Sequence, residues 1–221
     1  MATAVVLFAA VLRLPARLPV SVASHHRPIR ASAPSFESSL GAAPAVCAAL
    51  QDVGSRGGSK LSAQDAAALS EMLATSNGAR GFFVNWLTDE TWTAADIADP
   101  PPPLVETLAS TLASSSQSMV TGLMLMNVAM PAGTALTHER MGNAAAADAS
   151  RRTARRASLL LRAMLPKQSA LTAAAASLRN AVAAALGSDA DDADPYWADF
   201  LIRWGYDHEQ LELIREALDG C

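Results

Sequence analysis

Apolar side chains recur at the spacing of an α-helix along most of the chain beyond residue 35. Phe82, Phe83, Trp86 and Leu87, for example, fall on one face of a helix. The same pattern, bounded by residues that start or stop helices, predicts a series of amphipathic helices. They cover residues 36–52, 63–76, 82–87, 104–112, 144–165, 169–186, 195–204 and 207–218.

One stretch departs from this pattern because it offers no polar face. No charged residue occurs between Thr107 and Thr137, and we expect Met119–Leu136 to be the central, buried helix of a bundle. Pro131 lacks the N–H that the carbonyl of Asn127 would receive, so a kink is predicted there. The alternative for the same segment is a membrane span, which needs about 20 predominantly apolar residues.

The composition favours helices over a sheet. Hydrophobic residues make up 51% of the 221 residues but aromatic residues only 5%, because alanine supplies much of the apolar content. The predicted fold is therefore an all-α bundle of about seven to nine helices around the central Pro-kinked helix. We expect a single domain over residues 36–221, in which the acidic segment 187–194 leads to a C-terminal helical hairpin.

Residues 1–35 have the composition of an organelle transit peptide. They contain four arginines and several serines, and no acidic residue precedes Glu37. The apolar run at residues 4–12 is the alternative core of a secretory signal, but no positive residue comes before it. Residues 29–31 resemble a plastid processing site, so we expect the chloroplast, stromal or thylakoid-associated, with the mitochondrion as the alternative.

The charge balance and the motifs that are missing exclude several classes of function. Removal of residues 1–31 would change the formal net charge from −4 to about −8, and an acidic protein does not attract nucleic acid through its overall field. The sequence has no Gly-rich phosphate loop, no HExxH motif and no nucleophile elbow. Its two cysteines form no CxxC pair, and only His138 and His208 follow residue 31. We therefore expect no metal, no cofactor and no catalytic residue.

The opening expected at the kink supplies one candidate ligand pocket. Arg80 and Asn85 are the polar residues beside the aromatic face that contains Phe82, while Asn127 and His138 lie on the central helix. If the two helices pack together, these four polar side chains would line a small cavity. The alternative is that they satisfy nearby backbone groups and that the aromatic face is a core anchor.

A second candidate site is the sequence RRTARR at residues 151–156. On a helix, Arg151, Arg152, Arg155 and Arg156 form one broad cationic face opposite the apolar side. Forked guanidinium groups suit phosphates, so this face could bind an anion, RNA, an acidic membrane or a protein partner. The alternative is a solvated face, or one paired within the chain by the carboxylates of residues 187–194.

These features predict an assembly, scaffold or auxiliary protein that binds protein partners in a larger organelle complex. The presequence, the predicted cationic face of residues 151–156 and the aromatic residues of the C-terminal hairpin support this prediction. Two alternatives stay open. One is a small-molecule-binding protein or metal-independent enzyme with a pocket near the central helix, and the other is a single-span membrane protein.

Overall fold

The computed structural model describes residues 35–96, 99–113, 117–188 and 194–221. Within these residues the chain is all-α, with nine α-helices and no β-strand. The predicted fold class is thus confirmed. The predicted transit peptide lies outside the described residues except for Ser35, and so do residues 189–193 of the acidic linker.

The helices are joined by connections of two to thirteen residues. In chain order they are α1 (Phe36–Ser55), α2 (Ala63–Leu73), α3 (Ser76–Thr88), α4 (Pro102–Leu112), α5 (Gln117–Arg140), α6 (Ala144–Met164), α7 (Ser169–Ala185), α8 (Pro195–Trp204) and α9 (His208–Asp219). Short 3-10 helices at Thr93–Asp96 and Leu165–Lys167 follow α3 and α6.

Side-chain caps explain where several helices start. The side chain of Ser62 accepts a hydrogen bond from the backbone N–H of Asp65 at the start of α2. At α9, Asp207 and Gln210 form a complete capping box, in which each side chain bonds the backbone of the other residue. Pro195 lies at the first position of α8, where its missing N–H removes no helical hydrogen bond.

The boundary between α2 and α3 differs from the prediction, which ended the second helix just before Asn77. α2 ends at Leu73, and the side chain of Thr75 accepts a hydrogen bond from the N–H of Gly78 to start α3. A Cβ atom at Gly78 would lie 2.1 Å from the carbonyl oxygen of Met72. Only glycine therefore lets the two helices turn this closely, and Asn77 belongs to the first turn of α3.

The charge-free segment forms α5, the central helix of the bundle. It packs against α3, α4, α6, α7 and α9. Every residue from 120 to 133 is buried, so no face of these turns is left to solvent. The helix is continuous through Pro131, and the predicted kink is not confirmed.

By length and composition, α5 is also the one helix within the described ranges that could cross a membrane. In the bundle, 83% of its most apolar 18-residue window is buried. Because the neighbouring helices cover it on all sides, its composition is accounted for by core packing without a lipid environment.

The C-terminal hairpin of α8 and α9 packs over α5 and α7. Trp197 and Phe200 point inward from α8, and Gly205 ends that helix with a φ of 60°. From α9, the buried side chain of Gln210 donates a hydrogen bond to the carbonyl oxygen of Gly133 at 3.0 Å. The aromatic residues of the hairpin are thus largely core contacts.

Candidate functional site

Helix α6 carries the arginines of residues 151–156, and its apolar side decides which of them reach solvent. Its buried positions are Ala147, Thr153, Ala154, Arg156, Ala157, Leu160, Leu161 and Met164. Each residue of an α-helix is turned by about 100° around the helix axis. By this geometry the opposite side of α6 carries three arginines whose directions differ by at most about 40°: Arg151, Arg155 and Arg162. We call these three residues the arginine face; it extends for about 16 Å along the helix axis.

The outer two arginines of this face are exposed and weakly paired. The side chain of Arg151 is 48% exposed and forms ion pairs with Glu139 and with Asp148. The side chain of Arg162 is 53% exposed, and its Nη2 lies 3.5 Å from a carboxylate oxygen of Asp99. Exposed ion pairs contribute only about 0–1 kcal/mol each, so a carboxylate of a partner can replace those of the chain at small cost.

Arg155 stands between them and is the least engaged of the three. It is exposed, and within the described part of the chain no carboxylate lies within ion-pair distance of its guanidinium. Arg152 lies at the edge of the face and is more enclosed. Its side chain is 27% exposed, and its Nη2 lies 3.2 Å from a carboxylate oxygen of Glu90.

Arg156 is buried, with a side chain that is only 1% exposed. Its Nε donates to Oδ1 of Asp96 at 2.6 Å, its Nη2 to the carbonyl oxygen of Trp92 at 2.9 Å and its Nη1 to that of Asp89 at 2.7 Å. Two further carbonyl oxygens, in the last turn of α3, lie 3.5 Å from Nη1. Arg156 therefore caps the C-terminal end of α3 and fixes the loop that follows it.

The four arginines of residues 151–156 therefore do not form the one exposed cationic face that the sequence predicts. Arg156 is turned toward α3, where the helix end supplies unpaired carbonyl groups, and its buried guanidinium is not accessible to an external anion. Of the acidic residues 187–194 proposed as internal partners, only Asp194 is described. It accepts hydrogen bonds from the N–H of Tyr196 and the hydroxyl of Ser177, and none from the arginines of α6.

Arg162 belongs to the arginine face although it lies outside the RRTARR sequence. Its position on this face is predictable from the sequence, because residues that are 4, 7 and 11 positions apart lie on the same side of a helix. No comparable signal marks Arg156 as buried, since its partners are main-chain oxygens far upstream in the chain.

Asp89 connects the Arg156 network to α1. Its carboxylate accepts hydrogen bonds from the side-chain amide of Gln51 at 2.7 Å and from the hydroxyl and N–H groups of Thr91 at 2.7 and 2.8 Å. Burial acts to raise the pKa of Asp89, but these hydrogen bonds and the charge of Arg156 outweigh it. The pKa of this carboxyl group therefore lies below its ordinary value.

The four residues predicted to line a pocket are not brought together. On α3, Asn85 donates from its side-chain amide to the carbonyl oxygen of Leu40 on α1, at 3.3 Å. Asn127 and His138 lie about 16 Å apart along the axis of α5, so they cannot reach one small cavity. Arg80 is half-buried on α3, and its charge opposes the rise that burial causes in the pKa of Tyr196 on α8.

The metal-ligating and nucleophilic side chains of the described residues are dispersed. No three or more histidine, cysteine, aspartate or glutamate side chains among them are grouped to hold a metal ion. Burial and the charge of Asp89 raise the pKa of Cys47 to about 12, so this thiol stays protonated. The arginine face is therefore the feature of the predicted sites that can act on another molecule.

A comparison with protein families gives a match over most of the chain. A family model described as uncharacterised conserved protein UCP020893 matches residues 36–221. No curated protein and no solved structure matches the chain.

Proposed function

The chain belongs to this family, and we propose that it is an auxiliary protein that is imported into the plastid and binds an acidic protein surface of a larger complex. Its binding site is the arginine face of α6. The observation that carries the proposal is Arg155, which is exposed and lacks a carboxylate partner among the described residues. It lies between Arg151 and Arg162, whose ion pairs with the chain's own carboxylates are exposed to solvent.

The chemistry of the arginine face fits carboxylates on a folded partner. Three guanidinium groups spread over about 16 Å match the spacing of acidic side chains on a helix or a sheet edge. Arginine is enriched at protein interfaces, because its planar fork gives directional hydrogen bonds and its alkyl stem covers apolar surface.

A protein partner fits this chain better than a nucleic acid does. Nucleic-acid binding that is independent of sequence relies on the neutralisation of several phosphates by a basic patch. The arginine face offers only three arginines, two of them already paired, on a chain with a formal net charge of −4. The same negative charge repels a uniformly acidic partner. The partner we propose therefore presents a local acidic patch to α6 and not a polyanionic surface.

Import into the plastid rests on the N-terminal sequence. Residues 1–35 are rich in arginine and serine and contain no acidic residue. The family match begins at residue 36, immediately after this segment. These two observations support a processed form whose working part starts near α1.

Affinity capture with matched charge variants tests the proposal. The full chain carrying Arg155→Gln and Arg162→Gln is immobilised beside the wild type and incubated with stromal extract, and the retained proteins are identified by mass spectrometry. The control carries Arg56→Gln and Arg215→Gln, which also remove two exposed positive charges, each paired with a carboxylate three or four residues earlier in the chain.

We expect the wild type and the control to retain the same protein. The α6 double variant should bind this protein at least tenfold more weakly, which corresponds to about 1.4 kcal/mol of binding free energy. Retention should also weaken as salt rises from 50 to 300 mM, because screening reduces attraction between exposed charges. Equal retention by both double variants, or no specific protein on any column, would overturn the proposal.

A further inference from the structure

A surface cleft of about 590 Å³ lies between α5, α7 and α8, each of which contributes to its lining. The lining residues are Met119, Thr121, Gly122, Ala170, Ala174, Tyr196 and Trp197. The volume falls within the range of roughly 300–1,000 Å³ that is usual for small-molecule sites. Because none of these residues belongs to α6, the cleft is separate from the arginine face.

Small residues leave the cleft open. Gly122, Ala170 and Ala174 contribute at most one methyl group each to its lining. A Cβ atom at Gly122 would lie 3.7 Å from the hydroxyl oxygen of Tyr196, a residue that is 55% exposed and so lies at the rim. A bound apolar molecule therefore has room to enter, and burying its surface against such a lining is favourable.

The lining of the cleft is uncharged. Its polar side chains are those of Thr121 and Tyr196, and both carry neutral hydroxyl groups. An ion that enters such a cleft loses hydration without gaining a counter-charge, which costs far more than burying a neutral group. The lining is therefore suited to a neutral molecule.

Thr121 has a buried hydroxyl group without a hydrogen-bond partner. The residue is 8% exposed, and its Oγ1 has no partner within the described part of the chain. Other helical threonines bond back to the carbonyl oxygen four residues earlier, as Thr88, Thr134 and Thr153 do at 2.6, 2.9 and 2.9 Å. Because Thr121 does not, its hydroxyl keeps both a donor and an acceptor available at the cleft.

This arrangement costs stability in the free protein. A buried hydroxyl without a partner loses its hydration without compensation, and such groups are uncommon in folded proteins. Valine, which is also branched at Cβ, would occupy the position of Thr121 without this cost. A bound molecule that supplies the missing hydrogen-bond partner accounts for a hydroxyl group at this position.

We infer that the cleft binds a neutral, mainly apolar molecule that carries a hydroxyl or carbonyl group. The apolar body of this molecule packs against Met119 and Trp197, and its oxygen forms a hydrogen bond with the hydroxyl of Thr121. This inference goes beyond the proposed function, because it assigns a second site that shares no residue with the arginine face.

Four probes that share a benzyl group test the charge preference: benzyl alcohol, ethylbenzene, phenylacetate and benzylammonium. Each is titrated into the full chain, and binding is followed by NMR through the backbone amides of the lining residues. Benzyl alcohol should cause saturable shifts, and both ions should bind at least about tenfold more weakly than it does. No saturable binding of benzyl alcohol, or an ion that binds as tightly, would overturn the inference.

Thr121→Val tests the hydrogen bond. The affinity for benzyl alcohol should fall about threefold to tenfold, since one neutral hydrogen bond is lost, while the affinity for ethylbenzene should not fall. The control Thr134→Val removes a hydroxyl on the same helix that is already bonded to Met130, and it should change neither affinity. An equal loss of affinity for both probes in Thr121→Val would contradict the inference.

The melting temperature of the free Thr121→Val variant gives a second readout. It should be higher than that of the wild type, because the unpartnered hydroxyl is removed. A lower melting temperature would show that the hydroxyl is bonded within the fold, and the inference would then be wrong.

Variants that fill the cleft locate the binding. Ala170→Trp and Ala174→Phe should abolish binding of benzyl alcohol, whereas Ala173→Trp, at an exposed position of α7 outside the lining, should not. Because Ala170 is exposed, Ala170→Trp should fold even if Ala174→Phe does not. Benzyl alcohol binding that survives in the folded filling variants would place the ligand elsewhere and overturn the inference.

The two proposals fail separately. The variant carrying Arg155→Gln and Arg162→Gln should bind benzyl alcohol as the wild type does, whatever it does in the capture experiment.

Discussion

At the scale of single residues, the four arginines of residues 151–156 have different surroundings although they form one short sequence. Arg151 and Arg155 are exposed, Arg152 is half-buried and Arg156 is buried. A turn of 100° per residue explains the division, because Arg156 points toward α3 while Arg155 points to solvent. The composition of the segment predicts a charged helix, but only the packing of α3 and α6 assigns a role to each arginine.

Arg156→Met should strongly destabilise the fold. The variant leaves the carboxylate of Asp96 and several buried carbonyl groups without their donor, and breaking such a buried pair costs about 3 kcal/mol or more. Arg155→Met, the same change one position earlier, should alter stability by no more than about 0.5 kcal/mol. Urea unfolding followed by circular dichroism measures both, and equal effects would contradict the assignment of Arg156 as a buried clamp.

Asp89 should contribute a pH-dependent part of the stability. Its pKa is lowered in the folded state, so its contribution is fully present above the unfolded value of about 3.9 and is lost as the pH falls through the folded pKa. The difference in unfolding free energy between the wild type and Asp89→Asn should therefore be constant from pH 7 to 5 and shrink below about pH 4. Urea titrations at a series of pH values check this, and a difference that persists unchanged to pH 2.5 would rule it out.

At the scale of helices, the sequence pattern predicts most of the elements because two independent signals agree. Apolar spacing marks the body of each helix, and residues such as Ser62, Asp207 and Pro195 mark where one starts. The pattern fails at Asn77 and Gly78, where the usual helix-stop signal lies inside α3. Thr75 caps that helix, and the close approach of Met72 requires the glycine.

Pro131 illustrates how packing changes the effect of a local signal. The missing N–H predicts a kink, yet α5 remains one helix across it. Thr134 bonds back to the carbonyl oxygen of Met130 at 2.9 Å, and the surrounding helices bury the segment on every side. Pro131 thus removes one backbone donor without ending the helix.

Two glycines at the middle of helices should respond oppositely to alanine. Gly122→Ala places its methyl group in ordinary van der Waals contact, 3.6 Å from the methyl group of Met126 and 3.7 Å from the hydroxyl oxygen of Tyr196, and should stabilise the protein by up to about 1 kcal/mol, because alanine restricts the unfolded chain. Gly81→Ala would bring its Cβ to 2.8 Å from the carbonyl carbon of Ser39 and should cost about 1–3 kcal/mol. Thermal unfolding of both variants tests this, and a shift of the same sign in both would contradict the packing of α1 against α3.

At the scale of the whole molecule, the sequence predicts a helical bundle with a buried central helix, and the structure has this arrangement. The candidate sites could be predicted only in part. Periodicity brings Arg151 and Arg155 to one side, but it cannot show that Asn85 turns toward α1 or that Arg156 turns toward the end of α3. Contacts between helices depend on the packing of side chains distant in sequence, which no local pattern records.

The central claim is that α6 faces a partner, and site-specific photocrosslinking tests it most directly. The full chain carries p-benzoylphenylalanine in place of Leu159, beside the arginine face, or in place of Glu71, an exposed residue of α2, and each is irradiated in stromal extract. We predict a crosslink to one other polypeptide from position 159 only, which disappears when Arg155→Gln and Arg162→Gln are added. No crosslink from position 159, or equal crosslinks from both positions that persist in the double variant, would contradict the account.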